Sequence, residues 1–152
     1  MIMNECDIDA LGIKRWLLNG KLHRKDGPAV EWPDGSKHWY VNGELHRVDG
    51  PAIDDSDGDK EWYFNGKLHR ADGPAIEWAN GDREWHINGK PHRVGGPAVE
   101  SDGDKSWWVK GKLHREDGPA VEYSNGDKRW YLNGKLLTEE QFNQRYFSLL
   151  TQ

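Results

Sequence analysis

The sequence predicts an all-β fold, an elongated twisted antiparallel sheet of about five tandem β-hairpin repeats with a short C-terminal capping helix. Three observations predict it. The string Asn65-Gly66-Lys67-Leu68-His69-Arg70-Ala71-Asp72-Gly73-Pro74-Ala75 recurs with small changes, its Asn-Gly or equivalent starting at Asn19, Asn42, Asn65, Asn88, Lys110 and Asn133, at intervals of 23, 23, 23, 22 and 23 residues. Each copy carries two glycine turns, one Asn-Gly (Lys110-Gly111 in one copy) and one Asp-Gly or Asn-Gly, between short runs of alternating aromatic and β-branched residues, which is hairpin chemistry. Only 35% of the chain is hydrophobic and 31% is charged, yet there are nine tryptophans. Each such ring can bury on the order of 200 Å², which suits a thin array better than a globular core.

Residues 1–15 read as an N-terminal cap, with Ile8, Leu11 and Ile13 placed to cover the open end of the first repeat, because terminal repeats lack one neighbour. Residues 16–137 are the tandem repeats. Within a unit, Trp39-Tyr40-Val41 alternates as a strand, Asn42-Gly43 supplies the positive φ angles of a tight turn, and Glu44-Leu45-His46-Arg47 returns antiparallel. Asp49-Gly50-Pro51 interrupts pairing, since proline lacks a donor, and Ala52-Ile53-Asp54 resumes the strand before the turn at Asp57-Gly58. A two-residue turn at Asp34-Gly35 sets Val30 opposite Trp39, and the same rule pairs Ile53 with Trp62, Ile76 with Trp85 and Val121 with Trp130. The fourth unit is one residue shorter, and a three-residue loop, Asp102-Gly103-Asp104, keeps Val99 opposite Trp107.

Stacked units predict three rows of side chains. Trp16, Trp39, Trp62, Trp85, Trp107 and Trp130 form a buried row with Leu18, Val41, Phe64, Ile87, Val109 and Leu132 on the same face. The opposite face takes an acidic row (Glu31, Asp54, Glu77, Glu100, Glu122) beside Tyr40, Tyr63, His86, Trp108 and Tyr131. A His-Arg row runs through His23-Arg24, His46-Arg47, His69-Arg70, His92-Arg93 and His114-Arg115. The pattern stops after Gly134, and residues 138–152 begin with Thr138-Glu139-Glu140-Gln141, a capping box that starts a helix, with Leu137 placed to staple against Phe142. Phe142, Tyr146, Phe147, Leu149 and Leu150 fall at helical spacing and fit a helix lying over the last hairpin, or a partner-binding helix.

A net charge of −5 argues against duplex nucleic acid as a partner. Cys6 is the only cysteine, so no intrachain disulfide forms, which fits a reducing, cytoplasmic setting. The acidic N-terminal stretch does not read as a signal peptide, and no apolar run approaches membrane-span length. The serial histidines are followed by arginine and match no zinc spacing, so neither a metal nor another cofactor is expected. No Gly-x-Ser-x-Gly, P-loop or dinucleotide fingerprint occurs, and the chain reads as non-catalytic.

The 23-residue unit, with its aromatic, Asn-Gly-Lys, His, Gly and later Asp-Gly, resembles MORN-type repeats, which form β-hairpins in a curved single-layer sheet. The string Asn-Gly-Lys-Leu-His-Arg-x-Asp-Gly-Pro-Ala is most similar to tandem repeats of bacteriophage and large-virus proteins. The resemblance spans residues 16–134 and implies a virus-encoded protein in the host cytoplasm. It departs from the MORN pattern where arginine follows the histidine, and no polybasic stretch supports membrane attachment.

Two functions remain open on the residues. An arginine ladder beside aromatic rings is suited to a small anionic, nucleotide-like ligand, held by Arg47, Arg70, Arg93, Arg115, His69, His92, His86 and Trp108, in the manner of a sponge that sequesters a signalling nucleotide. The alternative is a protein-interaction scaffold using the sheet face or the C-terminal helix, with His and Arg spent inside each repeat, Arg on the acidic row and His on Asp26 or Asp72. Departures from the repeat cluster at residues 86–108 (His86, Pro91, Gly95, Ser101, Trp108), which marks that region as a candidate site. Exposed sheet edges also allow a homo-oligomer, tempered by the Lys- and Glu-rich composition.

Overall fold

The computed structural model describes residues 5–150, the side chains of 146–150 excepted. It is a long antiparallel fourteen-stranded sheet, not closed into a barrel, that ends in the helix Glu139–Leu150. The strand order follows the chain. The first edge is Glu5–Ile8, paired with Lys14–Leu18, and the last is Lys135–Leu137, paired with Lys128–Leu132. Between them each unit supplies two short strands, such as Ile53–Asp54 and Lys60–Glu61. Four two-stranded hairpins, such as Tyr63–Phe64 with Lys67–Leu68, extend the units to one side.

The two margins of this ribbon are made by two different turns. On one side Asn19, Asn42, Asn65, Asn88, Lys110 and Asn133 have φ between 49° and 54° and are each followed by a positive-φ glycine, the geometry of two-residue hairpin turns. On the other side the turns were expected to be two residues long, and they are three. The Trp32 amide bonds the Ser36 carbonyl, the Gly35 amide bonds the Trp32 carbonyl, and only Gly35 (φ 97°) enters the left-handed region. This is a type I turn closed by a glycine bulge. The turns at Gly58, Gly81 and Gly126 repeat it. The shorter fourth unit does the reverse of what was expected: Ser101 pairs with Asp104 around a two-residue Asp102-Gly103 turn.

The consequence is a register one residue away from the expected one. Val30 faces His38, Ile53 faces Glu61, Ile76 faces Glu84, Val99 faces Ser106 and Val121 faces Arg129. None of them faces a tryptophan. Because side chains alternate along a strand, one step moves the whole row to the other face. The β-branched residues therefore share a face with Tyr40, Tyr63, His86 and Trp108. The acidic row pairs with a basic one (Glu31 with Lys37, Asp54 with Lys60, Glu77 with Arg83, Glu100 with Lys105, Glu122 with Lys128) and lies on the tryptophan face. The fourth unit absorbs its deletion in the turn and so keeps these rows continuous.

The core is also thinner than expected. The tryptophans are half-buried, and among the described residues no large side chain is completely enclosed. The fully buried column is Ala29, Ala52, Ala75, Ala98 and Ala120, each at 0% exposure. Each of these alanines offers its carbonyl to the tryptophan amide of its own unit, as in Trp62 to Ala75 at 2.8 Å. Ile8 and Leu11 are exposed and do not cover the open end. That end is finished by main-chain pairing of Glu5–Ile8 instead. At the C-terminus the capping box forms, with the Gln141 amide bonding the Thr138 hydroxyl at 3.1 Å and the Thr138 amide bonding the Gln141 side chain at 3.0 Å. Phe142 is buried, and Arg145 reaches the Glu116 carbonyl at 3.2 Å. The apolar stripe expected at Tyr146, Phe147, Leu149 and Leu150 lies outside the described side chains.

Candidate functional site

The tryptophan face carries an arginine–tryptophan stack repeated in five units. In each, the return strand places arginine two residues beyond leucine (Pro91 in the fourth unit), and its guanidinium folds back over the tryptophan that opened the unit. Arg24, Arg47, Arg70, Arg93 and Arg115 lie 3.7–4.0 Å from the ring centroids of Trp16, Trp39, Trp62, Trp85 and Trp107. The same guanidinium donates to the carbonyl of the proline four residues on, as Arg70 does to Pro74 at 3.1 Å. In four units its Nε also donates to the aspartate two residues on, at 3.0 Å from Arg47 to Asp49 and 2.8 Å from Arg115 to Asp117, while the fourth unit has Gly95 at that place. These bonds hold the Asp49 and Asp117 carboxyls below the ordinary carboxylate range.

A third partner comes from the acidic row. Arg70 reaches Glu77 and Arg115 reaches Glu122, both at 2.8 Å, while Arg24 reaches Glu31 at 3.3 Å and Arg93 reaches Glu100 at 3.5 Å. Arg47 differs. Its counterpart is Asp54, one methylene shorter, and among the described contacts its carboxylate partner is Asp49 alone. The glycine of Asp-Gly-Pro completes the seat. A Cβ on Gly73 would lie 2.8 Å from Arg70 Cζ, and Gly27, Gly50, Gly96 and Gly118 repeat the contact at 2.8–3.1 Å. The arginine thus lies between an indole ring and a bare backbone.

The histidines do not pair with the aspartates of their own units, as the structural alternative had it; arginine takes those aspartates. Instead the His69 Nδ1 accepts the Asn88 amide of the following unit at 3.2 Å, and the His92 Nδ1 accepts the Lys110 amide at 3.1 Å. His23, His46 and His114 make the same link to Asn42, Asn65 and Asn133. On the opposite margin Asp59, Asp82 and Asp104 accept amides of the next turn, at 2.8, 3.1 and 2.8 Å. One side-chain latch therefore closes each margin of each such junction.

The expected site residues divide between the two faces. Arg47, Arg70, Arg93 and Arg115 lie on the tryptophan face, with His69 and His92 at the adjoining turns. His86 and Trp108 occupy the other face, where His86 Nε2 lies 2.7 Å from a Glu84 carboxylate oxygen and Trp108 Nε1 donates to the Ser106 hydroxyl at 2.7 Å. Their neighbour Tyr63 donates to Glu61 at 2.9 Å, and burial followed by that carboxylate raises its hydroxyl to about 12. The irregular residues of the fourth unit are accommodated locally: Ser101 donates to Asp82 at 2.7 Å, and Pro91 accepts the Gly111 amide at 2.9 Å.

What the repeat pattern concealed is a series of grooves between successive His-Arg-x-Asp-Gly-Pro loops. One, of about 790 Å³, is walled by Arg24, Lys25, Trp39, Val41, His46 and Arg47. The next, of about 600 Å³, is walled by Arg47, Val48, Trp62, Phe64, His69 and Arg70. Val48 is 82% exposed at their shared rim and Phe64 is 44% exposed inside the second. The available signal was the variable residue after Arg, which runs Lys25, Val48, Ala71, Val94, Glu116 while the arginine before it and the Gly-Pro that follows hold constant. Among the described residues no cluster of three or more metal-ligating side chains forms, and no helix is long and apolar enough to cross a membrane. Compared with known proteins, the chain matches no family model and no curated protein sequence.

Proposed function

We propose that this protein is a non-catalytic interaction scaffold that receives an extended segment of a protein partner across the serial grooves of its tryptophan face. The observation that carries this reading is the state of the arginines. Each guanidinium is stacked on tryptophan and bonded within its own unit, so one of its faces and two or three of its five N–H donors are already used. What each unit still presents outward is a loop rim, where Val48 and Val94 are 82% and 84% exposed and the ion-paired Asp49 and Asp72 side chains are 85% and 86% exposed. Rims repeat every two strands, about 10 Å, a spacing spanned by about three residues of extended chain. The tandem hairpins fit the MORN-like reading, and a virus-encoded scaffold in the host cytoplasm is the setting we propose. A photo-crosslinking residue at Val48 should capture a partner that the same residue at Ile8 does not. Equal capture from both positions contradicts groove binding.

A second reading, sequestration of a small anionic nucleotide-like ligand, is favoured by one residue. Arg47 lacks the acidic-row carboxylate that the other four arginines reach, and it lines both grooves. Isothermal titration with a nucleotide panel tests it. Binding abolished by Arg47→Ala but retained in Arg93→Ala supports this reading, and no heat with any member removes it.

A further inference from the structure

The two turn types that build the sheet also sort charge to opposite margins. On the Asn-Gly side, the residue after each turn glycine is Lys21, Glu44, Lys67, Lys90, Lys112 or Lys135, and Lys110 sits in a turn itself. All of them are exposed. On the other side the turns at residues 32–36, 55–59, 78–82, 101–104 and 123–127 contain no lysine or arginine. They project Asp34, Asp57, Asp102 and Asp127, all exposed. Both rows share the period of the unit, so they run parallel along the ribbon with the same spacing.

Neither row is needed to neutralise the other within one molecule, because the strands that separate them carry their own balanced pairs, such as Glu77 with Arg83 and Glu122 with Lys128. The lysines do have a local role. The Lys67 stem lies 3.7 Å from where a Cβ on Gly89 would be, and Lys90 and Lys112 repeat this against Gly111 and Gly134. The Glu44 stem fills the same place against Gly66, with Cβ at 3.7 Å, so the contact is one that an aliphatic stem makes and that accepts either charge. A position that tolerates glutamate yet is lysine in five of six copies is not explained by that contact.

We infer that the lysine margin is an association surface for the aspartate margin of a second copy of this chain. A two-fold axis along the ribbon brings the basic margin of each copy over the acidic margin of the other, on both sides at once and in the same unit register. The pairing then closes as a dimer. With the face that carries Tyr40 and Tyr63 turned inward, this pairing leaves the grooves of the tryptophan face open, so it is independent of the partner reading above.

The test is sedimentation velocity of the full chain at about 50 mM and about 500 mM NaCl, where screening lengths differ several-fold. Two triple variants accompany it. Lys67→Glu/Lys90→Glu/Lys112→Glu makes both margins acidic, and Asp57→Lys/Asp102→Lys/Asp127→Lys reverses the charge at the exposed tip of three turns on the aspartate margin. The expected result is a wild-type dimer at low salt that dissociates at high salt, each triple variant monomeric alone, and a dimer restored when the two are mixed. Circular dichroism establishes that each variant is folded. Should the aspartate triple fail to fold, Lys67→Gln/Lys90→Gln still decides, with a dimer dissociation constant raised at least fivefold. A monomeric wild type at low salt, association that ignores salt, or self-association of the lysine triple alone overturns the inference. A monomer that instead binds an anionic polymer such as heparin through these lysines overturns it equally.

Discussion

Arg70 lies over Trp62 with its Cζ 4.0 Å from the ring centroid, while the same guanidinium bonds Asp72, the Pro74 carbonyl and Glu77. One planar cation thus joins the first residue of the unit, its middle loop and the strand that leaves it. A sheet with solvent on both faces cannot enclose a large core, and here the fully enclosed side chains are alanines. Holding the loop against the strand then falls to a side chain with several directed donors and a flat face, which is arginine's chemistry rather than lysine's.

Trp62→Ala should cost about 3 kcal/mol, at the low end for tryptophan truncation because the ring is only half-buried. Urea denaturation followed by circular dichroism measures this. Loss of the ring also removes the stacking partner of Arg70, so the ion pair with Glu77 should become salt-sensitive. A variant that unfolds with the parent midpoint would show that the ring is a passenger.

His69→Ala removes the acceptor for the Asn88 amide, a link between one unit and the next. The expected cost is about 1 kcal/mol, the net worth of one hydrogen bond. Hydrogen exchange at Asn88 should accelerate while the Trp62 amide, bonded to Ala75, stays protected. Unchanged exchange at Asn88 would leave the histidine row without its latch role.

Stability should fall at both ends of the pH range. Tyr63 ionises at about 12 in the folded chain against an ordinary value of 10.0. Its raised value means that the folded state keeps the proton longer, so its contribution is complete below pH 10 and is lost as pH rises towards 12. Asp49 and Asp117 are lowered by Arg47 and Arg115, so their contribution is present above the ordinary value of 3.8 and is lost as pH falls through their folded values. Melting temperature against pH reads both limbs. In Tyr63→Phe the alkaline limb should flatten and the acid limb should not change.

The period, the Asn-Gly turns, the capping box and the single-layer hairpin array were all legible because each rests on local chemistry that a neighbour does not override. The register was not. Asp-Gly occurs in a three-residue turn at Gly58 and in a two-residue turn at Asp102-Gly103, and only the φ of the aspartate separates them. Val30 faces His38 where Trp39 was expected, and that single step exchanged the acidic and β-branched rows between faces. The choice between ligand contact and internal bonding for Arg70 was equally hidden. It turns on how close a guanidinium can approach Gly73, a distance the spacing of letters does not carry.

Gly73 tests the central claim most directly, because its φ is ordinary for any residue and only the space beside it is special. Gly73→Ala would place a methyl 2.8 Å from Arg70 Cζ. It should cost about 1–3 kcal/mol in the wild-type background, as over-packing does. In Arg70→Ala the seat is empty, and the same substitution should cost less than about 0.5 kcal/mol, giving a clear coupling in the double-mutant cycle. Equal costs in the two backgrounds would contradict the claim that the arginine, seated between tryptophan and glycine, holds each unit of this sheet together.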